Sequence, residues 1–368
     1  MQKTAQEILD RADVKIGGNN PWDIQVNNPS FYKRVLTGGS LALGESYMDG
    51  WWECEALDQF FDRILRARLD KKIKPSKHLI WNILKSKIVN RQRKSKAYVI
   101  GEKHYDIGND LYKNMLDKRM VYSCAYWKDA KDLDEAQEKK LDLICKKLKL
   151  EAGMTVLDIG CGWGSLSKFA TEKYGVKVTG ITVSKEQKVL ADKMCEGLNV
   201  EIRIQDYRDV RERFDRVVSV GMFEHVGPKN YKRYMQAVNR CLKSEGLFLL
   251  HTIGGNDSRD MIDPWINKYI FPAAVLPSAK QITSVAEGMF ALEDWHNFGH
   301  YYDTTLMAWH RNFNSRWDKI ANGYDEKFRR MWNYYLLICA GGFRSGKNRL
   351  WQIVFSKIGS ATHYESIR

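Results

Sequence analysis

The sequence of 368 residues contains no apolar run close to the roughly 20 residues that a membrane-spanning helix requires. Residues 1–12 are polar and lack the apolar stretch of a signal peptide, so we expect the protein to stay in the cytoplasm. The seven cysteines are irregularly spaced and form neither a metal-ligand pattern nor a small-domain disulfide framework. There is no internal repeat or low-complexity segment. These absences favour a globular protein without a bound metal, long enough for two domains.

Positive charge is unevenly distributed along the chain, whose formal net charge is +14. Between Arg66 and Lys103 there are 13 Lys or Arg residues against only Asp70 and Glu102. Nucleic acid and acidic lipid headgroups are both surfaces that attract such a segment, and a solvated basic helix is the alternative. Residues 77–93 combine a broad apolar face with a basic remainder. This pattern is typical of a helix that lies in a membrane interface or packs on the rest of the protein.

From residue 150 onwards, short apolar runs rich in β-branched residues alternate with helical segments, which indicates a parallel sheet covered by helices on both faces. The predicted strands are Thr155–Ile159, Val176–Ile181, Val200–Ile204, Arg216–Val220 and Leu247–Ile253, with Leu350–Phe355 as a final edge strand. The predicted helices are Ser165–Tyr174, Lys185–Cys195 and Tyr231–Leu242.

Two further regions flank this pattern. Residues 1–65 read as short helices with turns at Gly17-Gly18 and Gly38-Gly39. Apolar residues over 58–68 have helical spacing. The stretch between Gly254 and Phe290 contains three prolines among aromatic residues and reads as an insertion. Because it follows the carboxyl end of a strand, we expect it to cover a site there.

A glycine-rich turn, VLDIGCGWG, spans residues 156–164 and joins the first strand to its helix. Gly160, Gly162 and Gly164 permit a tight turn and a close approach of a ligand to the backbone. The spacing is not that of the dinucleotide pattern, because the third glycine comes one residue early and Asp158 lies two residues before the first. S-adenosylmethionine (SAM) has no phosphate and carries a cationic amino-acid group. The turn therefore favours SAM, and a purely structural turn is the alternative.

Other candidate cofactor contacts follow the next two strands. The Asp or Glu that usually binds ribose hydroxyls at the end of the second strand is missing, and Thr182 and Gln187 are predicted to form those hydrogen bonds instead. Asp206 and Tyr207 follow the third strand, where they are predicted to contact the adenine amino group.

Several motifs, in family order over most of the chain, resemble those of cyclopropane-fatty-acyl-phospholipid synthases and the related mycolic acid cyclopropane synthases. Besides the glycine turn, they are Gly44–Trp52, His104–Asn109, Tyr122–Trp127, Gly221–Gly227, Tyr302–Thr305 and Cys339–Arg344. The earliest motif points to the phospholipid enzymes, because the mycolic acid relatives lack the N-terminal domain.

The resemblance implies an α/β architecture. It consists of a class I SAM-dependent methyltransferase (Rossmann-like) domain over residues 96–368 and a small, mainly helical N-terminal domain. That second domain, residues 1–95 with the basic linker, is expected to bind lipid or membrane. The implied protein is a homodimer that associates peripherally with an anionic phospholipid bilayer and does not bind nucleic acid. In the implied reaction, the SAM methyl group passes to a cis double bond of a phospholipid acyl chain, a proton leaves, and a cyclopropane ring closes.

The resemblance also assigns roles to single residues. Tyr122 and Ser123 join the predicted SAM contacts. A bicarbonate ion is the implied proton acceptor, and the residues that match its binding positions are Cys124, Glu224, His251 and Tyr302. Cys339 matches the active-site cysteine of the family, with lining of the acyl pocket as its alternative role. Glu224 and His251 follow strand ends, and structural hydrogen bonding is their alternative role.

The residues suit this chemistry. The cationic intermediate needs shielding from water and aromatic faces, which attract cations. The sequence offers Tyr126, Trp127, Trp265, Tyr269, Phe271 and Tyr302. A lysine near the cation would oppose the reaction, and the motifs have none at their centres.

Three other functions compete with this interpretation. An N-methyltransferase of a lipid or small amine shares the fold and several motifs, but has no need of a bound anion. An RNA methyltransferase would suit the basic segment, although neither a flipped-base motif nor an RNA-binding signature is present. A non-enzymatic membrane scaffold is disfavoured by the complete cofactor motif.

Overall fold

The computed structural model describes residues 1–69, 92, 108–361 and 363–368. Its helices are α1 Gln2–Leu9, α2 Phe31–Met48, α3 Leu57–Arg66, α4 Asn109–Met115, α5 Leu133–Lys147, α6 Ser165–Tyr174, α7 Lys185–Met194, α8 Tyr231–Cys241, α9 Pro264–Tyr269, α10 Ala279–Ala286, α11 His300–Ser315, α12 Trp317–Ile320 and α13 Glu326–Arg344. Most of the basic segment, the helix predicted over 77–93 and the greater part of the motif at 104–109 lie outside the described residues.

The strands form two sheets. Their bounds are β1 Gln25–Val26, β2 Trp52–Glu53, β3 Thr155–Ile159, β4 Lys177–Thr182, β5 Val200–Ile204, β6 Phe214–Val220, β7 Leu242–Gly255, β8 Phe290–Asn297 and β9 Asn348–Lys357. Strands β1 and β2 pair with each other, and the other seven form one sheet in the order β5-β4-β3-β6-β7-β9-β8. Every pair from β5 to β7 is parallel, and β8 pairs with β9 in antiparallel orientation. The predicted parallel sheet is thus present.

One strand prediction is wrong in its position. The run at 350–355 does form a strand, but β9 lies between β7 and β8 and is not at the edge. The edge is β8, which the sequence patterns did not single out. Every side chain of β9 from Leu350 to Ser356 is buried, as expected of an interior strand.

The seven-stranded sheet has an apolar core on each face, because alternate side chains of one strand point to opposite sides. Leu157 and Val217 join one core, whereas their neighbours Val156 and Val218 join the other. Both faces are therefore covered, which explains why these strands read as continuous apolar runs.

The chain divides into two compact units. The first comprises residues 1–89, 260–273 and 302–348, and the second comprises 90–259, 274–301 and 349–368. The insertion predicted after residue 254 is therefore divided, and its Pro264–Tyr269 helix belongs to the first unit.

The first unit is built around the contact of α3 with α13. Gly341 permits this contact, because a Cβ there would come within 2.7 Å of the Asp58 carbonyl oxygen. Arg344 fixes the same helix ends, since its guanidinium binds the carboxylates of Asp58 and Asp303. The turn predicted at Gly38-Gly39 is instead a kink, because α2 continues through it with Gly39 at φ 62°.

No helix in the described ranges combines the length and the apolar character that a membrane crossing demands.

Candidate active site

The glycine turn connects β3 to α6 at the carboxyl end of the second unit's sheet. Gly160 and Gly162 have φ angles of 79° and 57°, a left-handed backbone that favours glycine. A Cβ at Gly160 would lie 2.8 Å from the Met222 side chain, so this position also requires the absence of a side chain. Gly164 forms the cap of α6, and its N–H donates to the Cys161 carbonyl oxygen.

A cavity of about 230 Å³ lies against this turn, entirely within the second unit. It is lined by the strand ends, where a sheet of this type binds its ligand. All the predicted cofactor contacts except Gly164 line it: Tyr122, Ser123, Asp158, Gly160, Gly162, Thr182, Gln187, Asp206 and Tyr207. The structure thus brings this set together, with Gly164 beside it as a helix cap.

The residues after β4 and β5 already bond to protein partners. The Thr182 hydroxyl donates to Gln187 Oε1 at 2.8 Å, so the amide nitrogen of Gln187 is the group left for a ligand. Asp206 accepts two bonds from the Arg208 guanidinium, at 2.7 and 2.6 Å. Both carboxylate oxygens of Asp206 therefore already accept from Arg208. The contact of Asp206 with adenine stays a prediction.

Asp158 places a carboxylate at the cavity wall. It is 2% exposed and accepts a hydrogen bond from the Ser167 hydroxyl at 2.9 Å. Burial raises its pKa to about 6, against the opposing effects of Ser167 and Lys140. A buried carboxylate of this kind suits a ligand with a cationic group.

Lys140 lines the same cavity, and the sequence analysis missed it. It lies on α5, is 1% exposed, and donates from Nζ to the Ser123 hydroxyl at 2.8 Å. Burial lowers its pKa to about 8, while Asp117, Cys124 and Asp158 act in the other direction. Lys140 comes from a helix outside all the motifs, so the observation that the motifs have no lysine at their centres did not bear on it.

A signal for Lys140 does exist in the sequence. The buried face of α5 recurs at helical spacing through Leu133, Ala136, Lys140 and Ile144. A lysine on the apolar face of an amphipathic helix is rare unless it has a partner or a function.

Glu224 lies in a short turn after β6 and is fully enclosed. One carboxylate oxygen, Oε1, accepts from the Ile253 N–H at 2.7 Å, and the other, Oε2, has no hydrogen-bond partner among the described residues. Burial raises the pKa of this carboxyl to about 7. His225, the next residue, lines the cavity, and burial lowers its pKa to about 4.

The expectation that His251 follows a strand end is wrong, because this residue lies within β7. It is two residues before Ile253, so the two side chains face the same side. Its Nδ1 is 3.3 Å from the amide nitrogen of Gln352, which can only donate. This bond leaves the proton on Nε2, for which the described part of the chain provides no partner. Burial holds the pKa of the imidazole well below its usual value.

Cys124 belongs to the same unit and is fully buried. It lies within electrostatic range of Lys140, as does His251. An aromatic cluster adjoins His251: Phe298 has its ring centroid 6.0 Å from the imidazole and 5.4 Å from the Tyr126 ring.

Tyr302 and Cys339, the two remaining predicted catalytic residues, belong to the first unit. Tyr302 is buried and stacks on Phe343 at 4.5 Å. Cys339 keeps some exposure, yet the dense surroundings of its thiol raise the pKa to about 12, with Asp263 adding to the effect. The neutral thiol favours pocket lining over attack as a nucleophile.

Comparison with known proteins supplies independent information. The model of the family "Mycolic acid cyclopropane synthetase" matches residues 92–353. The cyclopropane-fatty-acyl-phospholipid synthase of Escherichia coli K12 is 55% identical over 96% of this chain and 93% of its own length.

Solved structures agree with this relationship. The mycolic acid cyclopropane synthase CmaA1, complexed with SAH and CTAB, superimposes with a TM-score of 0.65 at 32% identity. It covers 70% of this chain and 97% of its own. Coclaurine N-methyltransferase has a TM-score of 0.70 over 86% of this chain and 99% of its own, but at 24% identity it supports the fold alone. By family match, sequence identity and shared fold, the chain belongs to the mycolic acid cyclopropane synthetase family.

Proposed function

We propose that the enzyme transfers a methylene group from SAM to the cis double bond of an unsaturated phospholipid acyl chain, forming a cyclopropane ring. The observation that carries this proposal is that two buried polar atoms, Glu224 Oε2 and His251 Nε2, have no hydrogen-bond partner among the residues that the structure describes. One is an acceptor and the other a donor. A methyl transfer that ends in ring closure must discard a proton, so it needs an acceptor held in a dry site.

The residues of the cavity fit SAM. The backbone of the glycine turn offers close approach, and Asp158 provides a negative charge for a ligand that carries two positive ones. Bound there, SAM supplies an electrophilic methyl group. Trp163, Tyr207 and Val226 are buried side chains of the cavity wall, and such a wall would exclude water and hold the ligand in one orientation, which lowers the barrier of a poor alkene nucleophile.

Cys124, Glu224 and His251 would hold a bicarbonate ion, which supplies a proton acceptor. Bicarbonate fits these residues because they offer both hydrogen-bond donors and hydrogen-bond acceptors. His251 Nε2–H donates and a Glu224 carboxylate accepts, so a small anion with its own hydroxyl can be oriented between both kinds of group. A side-chain carboxylate aimed at the carbocation risks forming an ester, and a small anion avoids that outcome.

The aromatic cluster contributes a second effect. Phe298 lies close to His251 and to Tyr126, and an aromatic face stabilises a cation by roughly 2 kcal/mol or more when water is excluded. Developing positive charge on the acyl chain is therefore lowered in energy without a nucleophile that could trap it.

The test is to incubate the protein with SAM and vesicles of unsaturated phosphatidylethanolamine and to weigh the recovered acyl chains. We expect a gain of one CH₂ with loss of the alkene. Saturated vesicles are the control and should give no product. Equal methylation of saturated and unsaturated lipid would instead identify an N-methyltransferase of the headgroup.

Membrane contact is a further part of this proposal, supported by the charge of the segment 66–103. Each Lys or Arg near an anionic surface contributes about 1 kcal/mol, which salt weakens. Changing Lys85, Lys87, Arg91 and Arg93 to Gln should reduce vesicle binding at low salt more than activity on detergent-dispersed lipid. Equal losses in both assays would indicate that the basic segment has a structural role. Sedimentation at the same time tests the proposed homodimer.

A further inference from the structure

The ammonium group of Lys140 has more hydrogen-bonding capacity than the protein uses. It can donate three N–H bonds, and its one hydrogen bond goes to the Ser123 hydroxyl at 2.8 Å. In the described part of the chain it forms no ion pair. A buried charge in this condition is costly unless an anion completes its surroundings.

The charged and titratable groups around Lys140 do not supply that anion. Asp117 and Asp158 are within electrostatic range, but not at ion-pair distance. Asp117 uses its oxygens to accept from the N–H groups of Arg119 and Val121, and Asp158 accepts from Ser167. Cys124 and His251, the other groups in range, are a thiol and a neutral imidazole.

The position of Lys140 indicates which anion is missing. Lys140 and Asp158 both line the cavity, one as a buried cation and the other as a buried carboxylate. The amino-acid end of SAM is a zwitterion, with an ammonium and a carboxylate on the same carbon. A wall that carries one charge of each sign is complementary to such a group.

We propose that Lys140 binds the carboxylate of the SAM methionine moiety, while Asp158 faces its ammonium group. This inference rests on the proposed function, because it takes SAM as the ligand. It also resolves the conflict of a lysine near a cationic reaction, since a bound carboxylate neutralises the ammonium charge.

Two alternatives make different predictions. Lys140 could act only through the loop that it holds, because Ser123 is its partner. Gln137 holds the same loop from the same helix, donating to the carbonyl oxygens of Val121 and Ser123, but it carries no charge. Alternatively, the anion that Lys140 binds could be free bicarbonate and not the carboxylate of SAM.

The experiment compares SAM with decarboxylated SAM, which keeps the sulfonium and the amine but lacks the carboxylate. Calorimetry on the full-length protein should show that the wild type prefers SAM by about tenfold or more, the value of a charge-assisted hydrogen bond. Lys140→Gln should abolish this preference by weakening SAM alone, and Lys140→Arg should restore part of it. The matched control Gln137→Ala should weaken both ligands equally and keep their ratio.

Each other outcome contradicts the proposal. Equal weakening of both ligands in Lys140→Gln assigns the residue to the loop. An unchanged ligand ratio with an altered response of activity to added bicarbonate assigns it to the free anion. If Lys140→Gln does not fold, equal affinity of the wild type for both ligands still overturns the proposal. A wild type that binds neither ligand would instead refute the proposed function.

Discussion

Helix α5 carries two buried lysines, Lys140 and Lys147, whose surroundings differ. Both are inaccessible to solvent, and burial lowers the pKa of each to about 8. Lys147 lies 3.1 Å from Asp294 and 3.1 Å from His296 Nδ1. Asp294 in turn accepts from Ser366 and Arg368. Lys140, in contrast, has the Ser123 hydroxyl as its one hydrogen-bond partner among the described residues.

The difference separates buried groups whose hydrogen-bonding and charged partners all come from the protein from buried groups that have capacity left for a ligand. Around Lys147 the opposite charges and hydrogen bonds are supplied by the chain itself, so the network stabilises the fold. Lys140, Glu224 and His251 instead keep buried donors and acceptors that no other group in the described part of the chain uses. Buried polar groups without partners are rare in proteins and point to function when they converge near a cavity.

The largest effect expected from this comparison is the loss of turnover in Glu224→Gln. The amide has nearly the same shape but cannot accept as a carboxylate, so the proposed anion loses its orienting partner. We expect activity to fall by about a hundredfold or more, with SAM affinity retained in calorimetry. Removing carbonate from the buffer should slow the wild type, and adding it back should restore the rate. Near-normal turnover of the variant together with no effect of carbonate would exclude the anion.

The next largest effect concerns the wall of the cavity. Gly162 has a left-handed backbone, and a Cβ there meets no protein atom within 4 Å, so a valine would occupy open space. Gly162→Val should abolish SAM binding measured by calorimetry. The strain of about 1–2 kcal/mol for a non-glycine residue in this conformation should leave the protein folded. Unchanged SAM affinity would show that the cofactor lies elsewhere.

The network around Lys147 should affect stability and not SAM binding. Lys147→Met breaks a buried ion pair, and such losses cost 3–5 kcal/mol; because Arg368 remains to pair with Asp294, we expect about 3 kcal/mol. Denaturant titration measures this loss, and SAM affinity should not change. Lys140→Met should cost less stability in the ligand-free protein. A larger loss of stability in Lys140→Met than in Lys147→Met would contradict the distinction between these two lysines.

The smallest effect is a pH dependence of stability. Burial raises the pKa of Glu224 from 4.5 to about 7, so the folded state binds more protons than the unfolded state between these values. Its contribution to stability is therefore present below about pH 4.5 and is lost as the pH rises through about 7. Glu224→Gln should remove this part of the slope in unfolding curves between pH 5 and 8. Identical slopes in both proteins would place Glu224 in a more polar environment.

Much of the sheet and of the cavity could be predicted from the sequence, because both follow from local patterns. Strand β5 begins and ends at the predicted residues, as does helix α6, since glycines and polar residues bound the apolar runs on both sides. The residues of the glycine turn line the cavity because the turn ends a strand. Resemblance, and not pattern, selected Cys124, Glu224 and His251.

Other features depend on contacts distant in sequence. The place of β9 inside the sheet is decided by its pairing with β7 and β8, which no local pattern encodes. The partners of Lys147 include Asp294, which lies far from α5 along the chain. Lys140 belongs to none of the family motifs, and its signal in the sequence is a charge on the buried face of a helix.

The order of strands in the sheet has a consequence for biosynthesis. Strand β9 fills the place between β7 and β8 but leaves the ribosome after both of them. From the moment β7 emerges at Gly255 until Asn348 is added, its outer edge has no partner. At translation rates of about 5–20 residues per second this interval lasts several seconds or longer. An open strand edge recruits other chains, so the nascent protein is vulnerable to aggregation during this interval, and slow codons placed between β8 and β9 would lengthen it.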